Sequence, residues 1–458
     1  MPVQEWQCYA PSLYKKYFPE KSMYPTISEF LKSLGIDLPL PIQTFGFFVA
    51  LAFMAAAYTL RKELVRKAGM GLIPAQTKKV ITGRPFPLND YIITGVFGFI
   101  AGFKLVYLLT DYLQFVADPQ GSLLSMKGSL PGGIIAAGVF IWLKFREDKK
   151  QRLEKPVEKQ YQVKAEDHLG NLVLLAVVGG LLGAKVFHNL ENLDEFFQDP
   201  VGSLFSFSGL TFYGGFIVAG WLILRYARKN GIAAFTISDA IVPGLMLAYG
   251  IGRIGCHTSG DGDWGILNTA YLTTPDGKAM PAVETDFSDT ATAYLPYYRF
   301  SFEGVKEIHQ VSDIPHATVK APAGLPSWTV AFAYPNNVNN EGVALFRKEG
   351  TSWVREDAKR WNHRLPIPVF PTSLYEAVIG ILLFTGMWLL RNRLKTAGLM
   401  TGLFLLLNGL ERFFIEKIRV NTEYHFLGMG VSQAEIISFL MILGGLYIFW
   451  IKRKKQTV

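Results

Sequence analysis

The sequence predicts an all-α polytopic membrane protein. Three observations carry that expectation. The 458 residues are 50% hydrophobic and only 18% charged, with a mean hydropathy of +0.22, whereas soluble globular domains carry about 25% charged residues. Apolar runs of membrane-crossing length recur along the chain. Lys and Arg gather in alternate loops between those runs.

Crossing about 30 Å of hydrocarbon takes about 20 helical residues. Nine runs approach that length, near 42–60, 91–109, 130–145, 169–187, 210–227, 237–255, 374–390, 397–416 and 432–451. The third is short and Gly-rich, and the sixth is weakly hydrophobic. The first 41 residues are polar, and no cleaved signal segment is visible among them. Segment 61–90 carries seven Lys and Arg residues and segment 144–164 carries eight. Further clusters follow the fifth and seventh runs and close the chain. The loop 110–129 has only Lys127, and the loop 188–209 has neither type. Basic residues mark cytoplasmic loops, so nine spans place the N-terminus outside and the C-terminus in the cytoplasm.

The domain organisation follows. Residues 1–41 form an extracytoplasmic N-terminal segment, and 42–90 the first span with a cytoplasmic loop. Residues 91–166 hold a degenerate first copy of a two-helix repeat with its cytoplasmic loop. Residues 167–255 hold the second copy and a further helix. Residues 256–371 form an extracytoplasmic insertion, small and mostly β or irregular, with strand-like stretches such as Trp328–Ala333. Residues 372–458 supply three C-terminal spans.

Several classes are excluded. The net charge is +9, but the basic residues lie between apolar runs and make no single nucleic-acid-binding face. The only cysteines, Cys8 and Cys256, exclude a disulfide scaffold and a Cys-rich metal site. No ligand spacing indicates a metal, and no cofactor is expected.

The repeat is direct. Residues 98–130 match 179–211 at an offset of 81, with twelve of 33 positions identical. Pairs include Gly98/Gly179, Gly102/Gly183, Lys104/Lys185, Asp118/Asp199 and Pro119/Pro200. After a one-residue shift, Gly132 and Gly133 match Gly214 and Gly215. Both copies enter the membrane from one side. Many transporters instead use inverted repeats around a midplane site. The first copy has Pro131 where the second has Tyr213. We read the first copy as packing and the second as the working one. Small residues in both let helices approach closely.

Charged residues in spans are costly and point to function. In the eighth run Asn408, Arg412 and Glu416 share one face at i, i+4 and i+8, and Arg419 extends it. The ordinary alternative is a structural Arg–Glu lock. Arg253 precedes the Gly-rich turn Gly255–Gly265 at the outer end of the sixth run, and Arg suits bidentate phosphate binding. The alternative is an interfacial Arg closing a helix. His257, Asp261 and Asp263 in that turn are candidate acid/base groups. Lys185 and Tyr213 lie near the outer face, where snorkelling and aromatic belts are the ordinary readings. Two arginines, a carboxylate and a tyrosine toward one outer cavity fit a phospholipid headgroup.

Four motifs in order then resemble one family, the bacterial prolipoprotein diacylglyceryl transferases. Ser208-Gly-Leu-Thr-Phe212-Tyr213-Gly214-Gly215 looks like its S-F-[HY]-G-G element. Gly252-Arg253-Ile254-Gly255 resembles G-R-[IL]-G, and Pro371-Thr-Ser-Leu-Tyr375-Glu376 resembles P-[ST]-Q-L-Y-E. Arg412-Phe-Phe-Ile-Glu416 with Arg419 resembles R-F-x-x-E-x-x-R. Gly183-Ala-Lys185 stands where the family has G-G-R-I-G-Y. The resemblance covers about 165–450, plus a first span near 42–60.

The resemblance implies transfer of a diacylglyceryl group from phosphatidylglycerol, a membrane lipid, to the lipobox cysteine thiol of a prolipoprotein signal peptide. The product is a thioether, and glycerol 1-phosphate leaves. It also implies the bacterial inner membrane, with the active site toward the outer face. By motif, Arg253 would hold the lipid phosphate. Arg412, oriented by Glu416, would hold the headgroup or leaving phosphate. Tyr213 takes the place of a His or Tyr implicated in thiol activation or positioning, and Asp261, counted from Gly252-Arg253, stands where a Glu is frequent, whereas counting back from Trp264 places Gly262 there with Asp261 and Asp263 flanking it. Gly214, Gly215, Lys185, His257, Asn408 and Arg419 complete the expected substrate-binding set. The chain departs from the family at Cys256 for Asn, Phe45 and Asn408 for Tyr, and in its long outer loop. Two rivals stand beside the enzyme. A lipid transporter is disfavoured by the direct repeat. An inactive scaffold homologue is disfavoured by the presence of Arg253, Arg412 and Glu416.

Overall fold

The computed structural model describes residues 24–40, 42–112, 115, 122, 125–153, 156–205, 211–260, 265–273, 279–281, 298–301, 308–310, 316–317, 326–332, 345–355, 367–419, 423–426 and 429–454. A short helix, α1 (Ile27–Ser33), precedes the long ones. These are α2 (Thr44–Gly69), α3 (Leu88–Thr110), α4 (Leu130–Gln151), α5 (Leu169–Glu191), α6 (Phe212–Lys229), α7 (Ala234–Ser259), α8 (Thr372–Leu390), α9 (Leu399–Glu416) and α10 (Gln433–Lys454). Each falls on one of the nine apolar runs. Six are long and apolar enough to cross a membrane: α2, α3, α5, α7, α8 and α10. The other three carry charge within the helix: α4 from Lys144 onward, α6 at Arg225, Arg228 and Lys229, and α9 at Glu411, Arg412 and Glu416.

The chain divides into two compact units, one of residues 1–56 with 242–458 and the other of residues 57–241. In the second unit α3 packs on α4 and α5 on α6. Both pairs cross at glycine. A Cβ on Gly102 would overlap the Gly132 carbonyl and Ala136, and one on Gly214 would overlap the Gly183 carbonyl and Phe187. Backbone contact at the crossing is what the small residues permit. At the other end of the unit, Leu60, Leu64, Leu172, Ala227, Ile232 and Ile237 form an apolar cluster. Beside it Lys67 pairs with Asp239 at 3.7 Å, both buried. The basic segments after α2 and α4 were expected only as loops. They instead pair as antiparallel strands, β1 (Gln76–Thr82) and β2 (Val157–Val163), along seven residues. Thr77, Val80, Ile81, Val157, Tyr161 and Val163 are β-formers, a signal hidden by the charges between them.

In the other unit, α7 carries Pro243. Pro has no N–H to give the helix ladder. α7 and α8 come closest at Gly250 and Gly380, where a Cβ on Gly380 would lie 3.0 Å from Gly250 Cα. α9 and α10 meet at Gly402 and Gly409, where a Gly409 Cβ would lie 2.9 Å from the Ser438 carbonyl. Met246, Met387, Met400 and Phe404 fill the core between α7, α8 and α9.

The described part of the insertion includes a four-stranded antiparallel sheet. Its strands are β3 (Tyr298–Ser301), β4 (Ile308–Gln310), β5 (Leu345–Glu349) and β6 (Ser352–Arg355), in the order β6-β5-β3-β4. The two ends of the insertion are stitched to the end of α9. Ile266 N–H donates to Ile418 O at 2.9 Å, and Phe370 N–H donates to Ile266 O at 3.1 Å. The strand expected at Trp328–Ala333 is a correction. Ser327–Thr329 form a 3₁₀ turn, and among the described residues of the stretch Phe332 alone bridges, to Val369. Pro326 starts the turn, and its carbonyl accepts the Thr329 N–H at 3.0 Å and hydroxyl at 2.7 Å. Those bonds close the turn locally and leave no extended edge.

Candidate functional site

Tyr249, Arg253 and His257 stand one turn apart on α7. One turn below Arg253 is the Gly250–Gly380 approach, and one turn from Gly380 on α8 stands Glu376. The close crossing therefore brings Arg253 against Glu376. Arg253 Nε lies 3.2 Å from Glu376 Oε2. Arg412 Nη1 lies 3.1 Å from Glu376 Oε1, and Arg419 Nη1 lies 3.5 Å from the same oxygen. The Tyr249 hydroxyl donates to Glu376 Oε1 at 2.9 Å. Glu376, fully buried, is thus the point on which three arginines meet. Sequence reasoning quoted it only inside a motif. Its position one turn into α8, after a proline, was the available signal.

The three guanidiniums are not equivalent. The Arg253 and Arg412 side chains are 17% and 24% exposed, whereas Arg419 is 2% exposed. Arg419 is also held by its backbone, which bridges to Gly265. Two forks therefore remain partly open to an anion, and the third is walled in. Glu416 steadies Arg412. Its Oε2 is 3.4 Å from Arg412 Nη2, and its Oε1 accepts the Ser432 hydroxyl at 2.7 Å. Arg253 also lies over the Tyr249 ring, 5.6 Å from its centroid. Charge inside a helix bundle is costly unless paired, and here every arginine has a carboxylate.

The remaining expected residues divide. His257 Nδ1 lies 3.3 Å from the Ser373 hydroxyl, and its ring stacks on Phe332 at 5.1 Å. That neighbourhood joins α7, α8 and the insertion. Asn408 sits one turn from Arg412, with its amide 3.9 Å from Met246 sulfur, at the edge of the apolar core. Asp261, like Asp263, lies outside the described residues. Tyr213, Gly214, Gly215 and Lys185 belong to the unit of residues 57–241. There Lys185 is buried, Tyr213 is half-buried in the first turn of α6, and Thr211 just before it donates to Glu191 at 2.7 Å. Among the described residues no three His, Cys, Asp or Glu side chains converge as a metal site. What the Glu376 cluster offers is a pair of preorganised guanidinium forks whose internal carboxylate partner an incoming phosphate would rival.

Comparison with known proteins finds relatives of this chain. Three relatives are named phosphatidylglycerol–prolipoprotein diacylglyceryl transferase. One from Leptospira interrogans is 29% identical over 168 residues, 30% of this chain and 52% of the relative. The chain thus spans about half that relative's length. One from Xylella fastidiosa (strain M12) is 24% identical over 297 residues, 64% of this chain and 80% of the relative. One from Vibrio vulnificus is 25% identical over 301 residues, 65% and 78% of the two chains. The prolipoprotein diacylglyceryl transferase family model matches residues 150–451, a stretch that contains Arg253, Glu376, Arg412, Glu416 and Arg419 as well as Tyr213. The chain belongs to the prolipoprotein diacylglyceryl transferase family.

Proposed function

We propose that this chain transfers the diacylglyceryl group of phosphatidylglycerol to the lipobox cysteine of prolipoproteins, in the bacterial inner membrane, with its site toward the outer face. All nine long helices cross the membrane in this reading, with the N-terminus outside. The observation that carries it is the convergence of Arg253 and Arg412, both partly exposed, on buried Glu376.

The chemistry follows from charge. The thiol sulfur attacks the glyceryl carbon, the carbon–oxygen bond to phosphate breaks, and its electron pair leaves with glycerol 1-phosphate. The diester carries one negative charge and the departing monoester gains a second. Arg253 and Arg412 meet that growing charge, which is where preorganised donors lower a barrier. Glu416 keeps Arg412 aimed, and Arg419 anchors Glu376 from the buried side. Thiolate is the nucleophile, so a base accepts the thiol proton. Tyr213 and Asp261 are assigned to that step by their motif positions, and Gly214, Gly215, Lys185, His257 and Asn408 to substrate contact on the same ground.

The test is a reconstituted assay with phosphatidylglycerol and a lipobox peptide, reading peptide mass and glycerol phosphate release. Wild type should add one diacylglyceryl mass. Arg253→Ala and Arg412→Ala should each lower turnover about 10²–10³-fold, the loss seen when one preorganised donor is removed. A folded wild type that adds no mass would refute the activity. A mass shift indifferent to both substitutions would keep the activity and refute the site.

A further inference from the structure

Glu411 is the buried carboxyl that this mechanism leaves unused. It precedes Arg412 on α9 and is 6% exposed. Its Oε1 lies 3.0 Å from the Tyr249 hydroxyl, the same hydroxyl that reaches Glu376 at 2.9 Å. A phenol owns one proton and can donate it once. Two ionised carboxylates cannot both be satisfied by it, because the second would set an oxygen lone pair against another. One carboxyl must donate to the phenol oxygen.

The surroundings say which. Glu376 is the carboxyl that three guanidiniums contact. Glu411 has Tyr249 as its hydrogen-bond partner among the described residues, and its Oε2 is buried without one. An ionised oxygen in that position would carry the full cost of burial.

We infer that Glu411 is a neutral carboxylic acid that donates to Tyr249, so that it adds no negative charge to the cluster of Arg253, Arg412 and Arg419 with Glu376 and Glu416. This rests on the proposed function and deepens it. A neutral Glu411 does not rival a lipid phosphate anion for the guanidiniums of Arg253 and Arg412, both partly exposed. Glu411 is here a positioning residue: it holds Tyr249, which holds Glu376, and touches no reacting atom.

The experiment uses the full chain in nanodiscs without substrate. Infrared spectroscopy reads the carbonyl stretch of a protonated carboxyl. Wild type should show such a band, Glu411→Gln should lose it, and Tyr249→Phe should shift it as the hydrogen bond disappears. No band removed by Glu411→Gln would overturn the inference. Binding of phosphatidylglycerol to the same nanodiscs is the second reading. The amide imitates the neutral acid, so Glu411→Gln should keep affinity within about threefold. Were Glu411 ionised, removing its charge would tighten binding of an anion by about tenfold or more, and that result would also overturn it. If Glu411→Gln does not fold, the Tyr249→Phe shift decides alone, and an unmoved band counts against the inference. A protein that shows the band and binds the lipid but transfers nothing would sink the proposed function and leave this inference standing.

Discussion

The two copies of the repeat share their packing and differ in their polar chemistry. In α3 and α4, the glycines Gly102 and Gly132 meet backbone to backbone. In α5 and α6, Gly183 and Gly214 do the same. The connection is also shared: Ser129 N–H donates to Phe103 O at 2.9 Å, and Thr211 N–H donates to Ala184 O at 3.2 Å. Just beyond that bond they part. The first copy enters α4 with a serine cap and Pro131, Ser129 Oγ accepting from Gly132 N–H at 3.1 Å. The second enters α6 with Thr211 tied to Glu191 and Tyr213 in the first turn. A two-helix hairpin is thus duplicable as a packing unit without its chemistry. In the first copy the helix start is built for a clean cap, and in the second it presents a phenol.

The largest break in this comparison is expected at that position. Tyr213→Ala should lower turnover about 10²-fold or more if the phenol takes part in proton transfer, with thermal unfolding little changed. Pro131→Ala should leave turnover unaltered, because a proline at a helix start contributes mainly a preset φ. Equal loss of activity in both variants would mean that the first copy also works, and would reverse our reading of the repeat.

A smaller and symmetrical effect is expected at the crossings. Gly102→Val and Gly214→Val each force a side chain into backbone, so each should destabilise by about 1–3 kcal/mol, as overpacking does. The milder Gly214→Ala and Gly215→Ala separate packing from lipid contact. Loss of phosphatidylglycerol affinity at unchanged melting temperature would favour contact, whereas parallel losses would favour packing. The Gly102 variants, in the copy without the phenol, supply the scale.

Much of this was legible in the sequence, because hydropathy and charge are one-dimensional signals. Each long helix lies on an apolar run, and the pairing of Arg412 with Glu416 on α9 follows from helical spacing alone; Arg419, expected to extend that stripe, lies beyond the helix end and is held by its bridge to Gly265. What spacing cannot convey is the partner across a helix crossing. Glu376 lies more than a hundred residues from Arg253 along the chain and meets it only because Gly250 and Gly380 let α7 and α8 touch. Tyr249, unremarkable as an aromatic in an apolar helix, acquires meaning from two carboxylates on other helices. The β1–β2 pairing was hidden for a related reason: the charges that identify a cytoplasmic loop also mask its β-forming residues. Trp328–Ala333, expected as strand-like, failed in the other direction, since a proline-started turn closes over Ser327–Thr329.

The smallest expected effect concerns the lysines that the two copies share. Lys104 Nζ donates to the carbonyls of Ser122 at 3.0 Å and Lys127 at 2.9 Å, and also to the Ser125 carbonyl. It ties the loop after α3 back onto its helix, which is a structural use of a charge inside a span. Lys104→Met keeps the length of the side chain and removes the donors. It should cost about 1–3 kcal/mol, the penalty of buried acceptors left unpaired, and should not change turnover per folded molecule. Lys185 holds the matching position in the second copy. If Lys185→Met behaves as Lys104→Met does, with stability lowered and Michaelis constant unchanged, the lysine was duplicated for the loop and not for the lipid. If it instead raises the Michaelis constant for phosphatidylglycerol at constant stability, the second copy has turned a loop tether into a substrate contact, and the divergence between the copies extends from the phenol to the lysine.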